Sequence, residues 1–367
     1  MNWTISLLIT IFLIFLGIIF RKNKVIWGIQ ILWIWILLSF NTGGSDWNVH
    51  KHFFVSSING FSIFSSAWLY QLICYPFAKL GIDFFYMNFI VSTIALIFYL
   101  RLIYKNSDKY CFVTSLFMIF PLADSIIQKR NFLACIIFLY GVFKVLNEEK
   151  NYTLKYTIYT LIAAQIHSAF YIYLVFIPFL SCNIKSLKKY IPMFTIIAFC
   201  MIPFFPYIAK LLLGSTSLAF KVDYYFKTFK IPFYQSCCWW ILHLVFYFIF
   251  KKFSNSSYGL SEKEQKMKLV LDKLNLLLLL LLPLYYYEAT FFRLYRNLLL
   301  VNYIFLGKYI YKNNKWTKDM FFGTAVTVCF ITLVFCSQFV MFGLGFDFLV
   351  KPLFENNLVI GDKNGIG

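Results

Sequence analysis

The feature that most constrains this chain is a series of apolar runs that recurs along the sequence. Many of these runs reach the roughly 17 to 25 residues that a helix needs to cross a bilayer. Hydrophobic residues make up 61% of the chain and charged residues only 13%, which is too little polar surface for a soluble protein. We therefore predict an all-α, polytopic integral membrane helical bundle.

The basic residues predict how this bundle crosses the membrane. A net charge of +19 would indicate a nucleic-acid partner in a soluble protein, but here the lysines cluster between apolar runs. Because such clusters mark cytosolic loops, we expect no nucleic acid and about 12 transmembrane helices (range 10–14), with both ends of the chain outside. The predicted crossings are 3–20, 25–40, 84–104, 110–127, 131–147, two arms within 152–182, 190–212, 232–250, 274–288, 297–311 and 319–343.

The segments between the crossings differ in character. Residues 61–80 are short and contain Pro76, so we predict a re-entrant or interfacial helix on the outer side. The run 152–182 lies between two basic clusters, and an outer turn near His167 would keep both inside. Residues 41–60 and 213–231 are predicted as outer segments, and 251–273 as the largest cytosolic loop. Residues 1–343 would form a single transmembrane domain, and 344–367 a loosely ordered outer tail.

Arginine is rare, with five arginines against 29 lysines, and its placement is informative. Arg130, Arg293 and Arg296 fall at predicted outer ends of helices, against the positive-inside trend. A guanidinium binds phosphate oxygens through two parallel hydrogen bonds, which favours an anion-binding role. The structural alternative is a side chain at the membrane interface, or a buried ion pair with Asp124 or Glu288.

Histidines and acids collect on the same predicted face. His50, His52 and His167 lie outside in this topology, and His167 forms a polar island within an apolar run. A packing histidine is the alternative for His167, and it is the favoured interpretation for His243. Asp46 lies in a loop that the Gly43-Gly44 pair indicates, where a plain solvated carboxylate is the alternative. Four separated segments therefore bring polar groups to one face: those of Asp46, Arg130, His167 and the stretch from Glu288 to Arg296.

These segments resemble the EpsG/Wzy-type polysaccharide polymerases of bacterial capsule, exopolysaccharide and O-antigen pathways. That family has an outer-loop aspartate followed by spaced aromatic residues, then an IRQxLA-like motif and an HxSA-like motif. The matching stretches here are Asp46-Trp47 with His50 and Phe54, QKRNFLA around Arg130, HSA at His167-Ser168-Ala169 and, loosely, FFRLYRN. Asn131 replaces a usual glutamine, His50 and Phe54 replace common tyrosines, and Ser65-Ser66-Ala67-Trp68 lies where an acid often follows.

The resemblance implies a multi-pass protein of the bacterial plasma membrane that transfers glycosyl groups on its outer face. The substrate would be an undecaprenyl-pyrophosphate-linked oligosaccharide repeat unit, and the bilayer, a flippase and a chain-length regulator of the same pathway would be the partners. Among the implied site residues, the catalytic ones are Asp46, Arg130, His167 and Glu288, and the substrate-binding ones are His50, Lys129, Asn131, Ser168, Arg293 and Arg296. The nine cysteines show no metal-ligand spacing, so we expect neither a metal nor a cofactor.

Two other functions fit part of the sequence. A flippase or other transporter of lipid-linked sugar would also be polytopic and basic, although such transporters usually carry internal repeats. A polytopic membrane acyltransferase would use a membrane histidine such as His167. Incubation with a lipid-linked repeat unit separates these functions, because only a polymerase would make a ladder of products.

Overall fold

The computed structural model describes residues 2–63, 65, 67–213, 224–228, 231–255, 260–311, 316–342 and 345–361. Throughout these residues the secondary structure is helical, and no β-strand occurs within them apart from an isolated bridge between Asn41 and Asn357. The predicted all-α fold is therefore confirmed. The greater part of the predicted outer segment 213–231 lies outside the described residues.

The α-helices of the described residues follow the apolar runs of the sequence. They are α1 (Trp3–Ile19), α2 (Lys24–Ser39), α3 (Trp47–Ser56), α4 (Trp68–Lys79), α5 (Phe84–Asn106), α6 (Tyr110–Ile119), α7 (Leu122–Ile127), α8 (Lys129–Leu146), α9 (Tyr152–Ile166), α10 (Ile177–Leu180), α11 (Ile184–Cys200), α12 (Phe205–Leu213), α13 (Phe233–Asn255), α14 (Glu262–Leu277), α15 (Phe292–Arg296), α16 (Leu299–Ile310), α17 (Lys318–Cys336), α18 (Phe346–Leu349) and α19 (Lys351–Glu355). Tighter 3₁₀ segments cover Ser168–Phe176 and Leu278–Tyr286.

Three helical stretches of the described residues are long and apolar enough to cross a membrane. They are α5, α13 and the stretch from Lys318 to Met341, and the pair α11 and α12, bent by 59°, brings the number to four if it forms one span. Other apolar runs form helices of 10–17 residues, such as α1, α2, α6 and α16. These lengths support a membrane protein but do not confirm the predicted count of about 12 crossings.

Two predicted segments differ from the observed elements. Residues 262–273, predicted as part of a cytosolic loop, form most of α14, because Ser261 and Glu264 make a capping box at its start. Residues 110–127, predicted as one crossing, divide into α6 and α7 at Phe120-Pro121. Proline has no backbone N–H to continue a helical hydrogen-bond ladder, which accounts for the division.

The predicted turn near His167 is present in the fold. Helix α9 ends at Ile166, His167 adopts an extended backbone, and the 3₁₀ segment from Ser168 packs back against α9. The hydroxyl of Tyr156 on the first arm donates to the carbonyl oxygen of Tyr173 on the second, at 3.0 Å. The hairpin is confirmed, and its position on the outer side stays a prediction.

The chain divides into two compact units. Unit 1 comprises Met1–Ser62, Trp68–Ile136 and Leu300–Gly367, and unit 2 comprises Ile63–Ala67 and Ile137–Leu299. In unit 1, buried Gln30 of α2 donates to Leu13 O of α1 at 3.1 Å and to Ser115 Oγ of α6 at 2.9 Å. In unit 2, α11, α13 and α14 pack around the 3₁₀ segment Leu278–Tyr286.

The described end of the chain is folded onto unit 1. Helices α18 and α19 lead to Asn357, whose backbone pairs with Asn41 in the isolated bridge. Residues 344–367 were predicted to be loosely ordered, but residues 345–361 are folded. The side chains of Asn41 and Asn357 make the hydrogen bonds that hold them, and composition alone does not predict such bonds.

Candidate functional site

The first group of predicted site residues lies in unit 1, in the loop that joins α2 to α3. Gly44 has a φ of +109°, a backbone conformation that glycine adopts without strain, so the chain turns there before α3 begins. Asp46 precedes the first residue of α3 and is half-buried, and its carboxylate accepts a long, 3.5 Å hydrogen bond from Ser45 Oγ. The helix that follows carries His50 and Phe53.

Lys129 and Arg130 are the first residues of α8, where the helix dipole also places partial positive charge. The ammonium of Lys129 is buried, donates to the carbonyl oxygen of Asn41 at 3.0 Å, and lies 5.3 Å from the ring centroid of Trp47. Asn131, also buried, follows in the same turn. Lys129 lies between two predicted crossings, and burial lowers its pKa to about 7.

Arg130 lies over aromatic rings of unit 1. Its guanidinium carbon is 4.3 Å from the ring centroid of Phe53 on α3 and 5.9 Å from that of Tyr70 on α4. A guanidinium over a ring is held by the quadrupole of the ring, and the attraction grows when water is excluded. The rings therefore hold the side chain, whose planar guanidinium has the geometry that suits an anion.

His50 is buried beside these cations. Burial first, and then the positive charges of Arg130 and Lys129, lower the pKa of His50 to about 3. The imidazole is therefore neutral at physiological pH, and it can offer a hydrogen bond but no positive charge. His52, two residues after His50 on α3, is exposed.

A small cavity adjoins Lys129. Polar lining comes from Tyr70 of α4 and from Asn88 and Ser92 of α5, and the remaining lining is largely apolar, including Phe132. Its free volume of ≈ 10 Å³ holds roughly one water molecule. The cavity thus offers polar groups beside the cation but too little room for a sugar in the described conformation.

The second group of predicted site residues lies in unit 2. His167 and Ser168 form the break between the two arms of the hairpin, and both side chains are half-buried. The backbone N–H of His167 donates to Ala163 O at 2.9 Å and so ends α9. The ring of His167 meets that of Phe170 edge to face, with centroids 6.3 Å apart.

Glu288, Arg293 and Arg296 belong to unit 2 as well. Glu288 has an extended backbone and precedes a short 3₁₀ turn, and Arg293 Nε donates to the carbonyl oxygen of Thr290 at 3.0 Å. Arg296 is buried at the end of α15. The positive charge of Arg293 acts on the carboxylate of Glu288, so this acid and this arginine are neighbours.

Tyr173, on the second arm of the hairpin at His167, contacts α15 and the residue that follows it within unit 2. The hydroxyl of Tyr173 donates to the carbonyl oxygen of Leu294, and it accepts a hydrogen bond from Asn297 Nδ2 at 3.2 Å. The motifs HSA and FFRLYRN, 121 residues apart at this contact, are therefore held together in the fold. Sequence reasoning missed Tyr173, because an aromatic residue in an apolar run is typical of a core.

The structure therefore assembles the predicted residues in two groups. Unit 1 holds Asp46, His50, Lys129, Arg130 and Asn131, and unit 2 holds His167, Ser168, Glu288, Arg293 and Arg296. The prediction that all of them face one outward cavity stays a prediction. Four residues that contact these cations, Asn41, Trp47, Phe53 and Tyr70, were not predicted as site residues. Of these, only Trp47 belongs to a motif that the sequence analysis identified.

Asp124, considered as an ion-pair partner in the sequence, accepts hydrogen bonds from Gln338 Nε2 at 2.8 and 2.7 Å, and its pairing with an arginine stays a prediction. His243 is a packing histidine, as predicted: it is buried, and its Nδ1 lies 2.9 Å from the hydroxyl of Tyr285. Across the residues that the structure describes, no group of three or more His, Cys, Asp or Glu side chains could hold a metal.

The long apolar helices, with arginine, lysine and histidine collected at helix starts and breaks, define a helical membrane protein with polar sites. The model of the EpsG family matches residues 24–344, and the chain belongs to this family. Membership supports a role similar to that of a polysaccharide polymerase, a type of glycosyltransferase. No curated protein and no solved structure matches the chain.

Proposed function

We propose that this protein is a membrane glycosyltransferase that joins polyprenyl-pyrophosphate-linked oligosaccharide repeat units on the outer face of the bacterial plasma membrane. The observation that carries the proposal is the pair Lys129 and Arg130 at the start of α8, held by a carbonyl oxygen and by aromatic rings. Neighbouring cations held in this way suit a diphosphate, whose oxygens accept many hydrogen bonds.

The charge on Lys129 supports an anionic ligand. Its ammonium is buried, and within the described part of the chain no carboxylate forms an ion pair with it. A buried cation without a countercharge is unfavourable, which is the reason for its lowered pKa. A bound diphosphate would supply that countercharge and would be stabilised in turn.

The proposed reaction uses the two cations, Lys129 and Arg130, and a group that accepts a proton. A hydroxyl of the incoming repeat unit attacks the anomeric carbon of the growing chain, and the bond from that carbon to the diphosphate oxygen breaks. The lipid diphosphate leaves with the bonding electron pair, and Lys129 and Arg130 stabilise its increasing negative charge. The hydroxyl proton passes to a general base, for which Asp46, His167 and Glu288 are the candidates.

The other site residues have supporting roles in this proposal. Arg293 and Arg296 are proposed to bind further phosphate or sugar oxygens, as are Asn131 and Ser168, whose side chains can donate hydrogen bonds. Neutral His50 would hydrogen-bond to the substrate rather than attract it by charge. The flippase and the chain-length regulator of the pathway are proposed as neighbours in the membrane.

The test is incubation of the purified protein, in lipid nanodiscs without other proteins, with a lipid-linked repeat unit. We expect a ladder of products that differ by one repeat unit, with release of polyprenyl diphosphate in equal amount to the bonds formed. Translocation across sealed vesicles without a ladder would instead assign a transporter. Acylation of the sugar in the presence of an acyl donor would assign an acyltransferase.

A further inference from the structure

The segment 345–361, here termed the strap, contacts the chain just before the Asp46 loop. Asn357 Nδ2 donates to Ile36 O at 2.8 Å, and Leu358 N donates to Phe40 O at 3.1 Å. Thr42 donates to the carbonyl oxygen of Asn356 twice, from its backbone N at 2.8 Å and from Oγ1 at 2.7 Å. The strap thus fixes the end of α2 and the first residues of the loop.

Asn41 is the point where the strap meets the candidate site. It is fully buried, it lies opposite Asn357 in the isolated bridge, and its Nδ2 donates to Leu353 O at 3.1 Å. The backbone hydrogen bonds of this bridge are made by the neighbours on either side, Thr42 with Asn356 and Leu358 with Phe40. Its own carbonyl oxygen accepts the hydrogen bond from Lys129 Nζ. Asn41 therefore bonds to the strap through its side-chain amide and to the ammonium of Lys129 through its backbone carbonyl.

The strap is itself well ordered by Asn357. The side-chain oxygen of Asn357 accepts from the backbone N–H groups of Val359 at 3.0 Å and Ile360 at 3.3 Å. Asn357 is buried, and so are Leu353 and Phe354 on the preceding helix. Loss of the Asn357 amide would leave the buried backbone N–H of Ile360 without its acceptor, which makes this contact sensitive to substitution.

The packing between strap and loop leaves no spare space. A Cβ atom added to Gly43 would lie 2.2 Å from Asn356 Nδ2 and 2.6 Å from its Cβ. Residue 43 must therefore be glycine while Asn356 keeps its place. The strap follows residues 24–344, which the family model matches.

We propose that the strap is a positioning element for the diphosphate-binding lysine, with Asn357 as its principal positioning residue. It fixes the Asn41 carbonyl, and that carbonyl orients the ammonium of Lys129 toward the substrate diphosphate. This inference rests on the proposed function, and it predicts that changes in the strap alter substrate binding through Lys129.

The test compares Asn357→Ala with Glu355→Gln in the full-length protein. Glu355 is in the same segment, is exposed and pairs with Lys351 at 3.5 Å, so Glu355→Gln is a matched control. We expect Asn357→Ala to lower kcat/KM for the lipid-linked repeat unit by roughly tenfold, mainly through KM. Glu355→Gln should behave as the unchanged protein.

A double-mutant cycle separates positioning from general damage. In a Lys129→Gln background, Asn357→Ala should have little further effect on KM, because the group that it positions is already absent. Equal effects in both backgrounds would overturn the inference, since the strap would then act on stability alone.

Two milder substitutions, both at Thr42, test the same contact if Asn357→Ala does not fold. Thr42→Val removes the hydroxyl that donates to Asn356, while Thr42→Ser keeps it. We expect a rise in KM of several-fold for Thr42→Val and recovery in Thr42→Ser. No difference between the two would overturn the role of this contact.

Binding of inorganic pyrophosphate distinguishes this inference from the proposed function. If the unchanged protein neither binds pyrophosphate nor makes polymer, the proposed function fails. If it does both, and the Asn357 and Thr42 variants match the Glu355→Gln control, only the role of the strap fails.

Discussion

The guanidinium of Arg130 lies over the ring of Phe53, with Cζ 4.3 Å from the ring centroid. Arg130 belongs to the second motif of the sequence, and Phe53 lies within the stretch from Asp46 to Phe54 that carries the first. Their contact joins the start of α8 to α3, the helix that begins after Asp46. Through this contact, α3 holds the cationic side chain of α8 in place.

Arg130→Lys should abolish long polymer and leave single repeat units. Lysine keeps the charge but loses the planar fork and most of the stacking over Phe53. We expect kcat/KM to fall by at least ~100-fold, as when a donor to a developing anion is removed. Arg101→Lys makes the same change at an exposed position on α5 and should leave the polymer length unchanged. Equal polymer length in both variants would exclude the proposed role.

The pH dependence of diphosphate binding should report on Lys129. Its pKa of about 7 means that the free protein loses this proton as the pH rises above neutrality. Since the protonated form binds the anion, we expect pyrophosphate affinity to fall between about pH 7 and pH 9. Lys129→Arg, which stays protonated, should flatten this decline, whereas Lys79→Arg on exposed Lys79 should not. Superimposable profiles for all three proteins would contradict the prediction.

His50 should make stability depend on pH in an acidic window. Its pKa is about 3 in the folded protein and 6.5 as an ordinary histidine, so the unfolded state binds more protons between these values. Stability conferred by neutral His50 is therefore present above about pH 6.5 and is lost as the pH falls toward 3. His50→Gln should reduce the slope of melting temperature against pH in that window. An unchanged slope would show that His50 already titrates normally.

Tyr173→Phe should lower the stability of unit 2 by weakening the contact between the hairpin at His167 and α15. The substitution removes the hydroxyl that donates to Leu294 O and accepts from Asn297 Nδ2. Leaving these buried groups unsatisfied should lower the free energy of unfolding by about 1–3 kcal/mol, measured by thermal or denaturant melting. Tyr190→Phe, at an exposed position on α11, is the control and should change stability little. A melt of Tyr173→Phe that matches this control would argue against the link.

Gly17→Ala should destabilise unit 1. A Cβ atom at Gly17 would lie 2.2 Å from Gln30 Nε2 and 2.3 Å from Ser115 Oγ, two groups already bonded to each other. We expect a loss of about 1–3 kcal/mol, because the helices must separate or the buried bond must break. Gly28→Ala on α2 meets nothing within 4 Å and should be neutral or slightly stabilising. Similar melting curves for the two variants would disprove the close approach.

Much of the fold follows from local pattern. The apolar runs predicted both ends of α5 and α8 and the start of α13 closely, because burial of long apolar segments depends on composition and length. Helix α13 continues past the predicted end into the basic stretch that follows. The break at His167 was predictable as well, since a polar island interrupts an apolar run between two basic clusters. Helix α14 was missed although Ser261 and Glu264 form a recognisable capping signal.

The candidate site was only partly predictable. Arg130 and His50 were identified by residue type and predicted topology, and Lys129 by the family resemblance, and the structure brings all three together in unit 1. The groups that hold them were not, because Asn41 acts through its backbone carbonyl and Phe53 through its ring face. Every residue has a backbone carbonyl, and aromatic residues occur throughout this chain. Neither feature can therefore be identified as part of a site from the sequence alone.

The sequence by itself determined that this chain is helical and membrane-embedded, and which polar residues depart from the apolar background. Those properties depend on transfer of side chains from water and on short-range periodicity, which residue order alone specifies. Tertiary structure decided that Asn357 lies opposite Asn41 and that Tyr173 joins two distant motifs. Such contacts depend on distances between residues more than a hundred positions apart, and only the packed chain sets those distances.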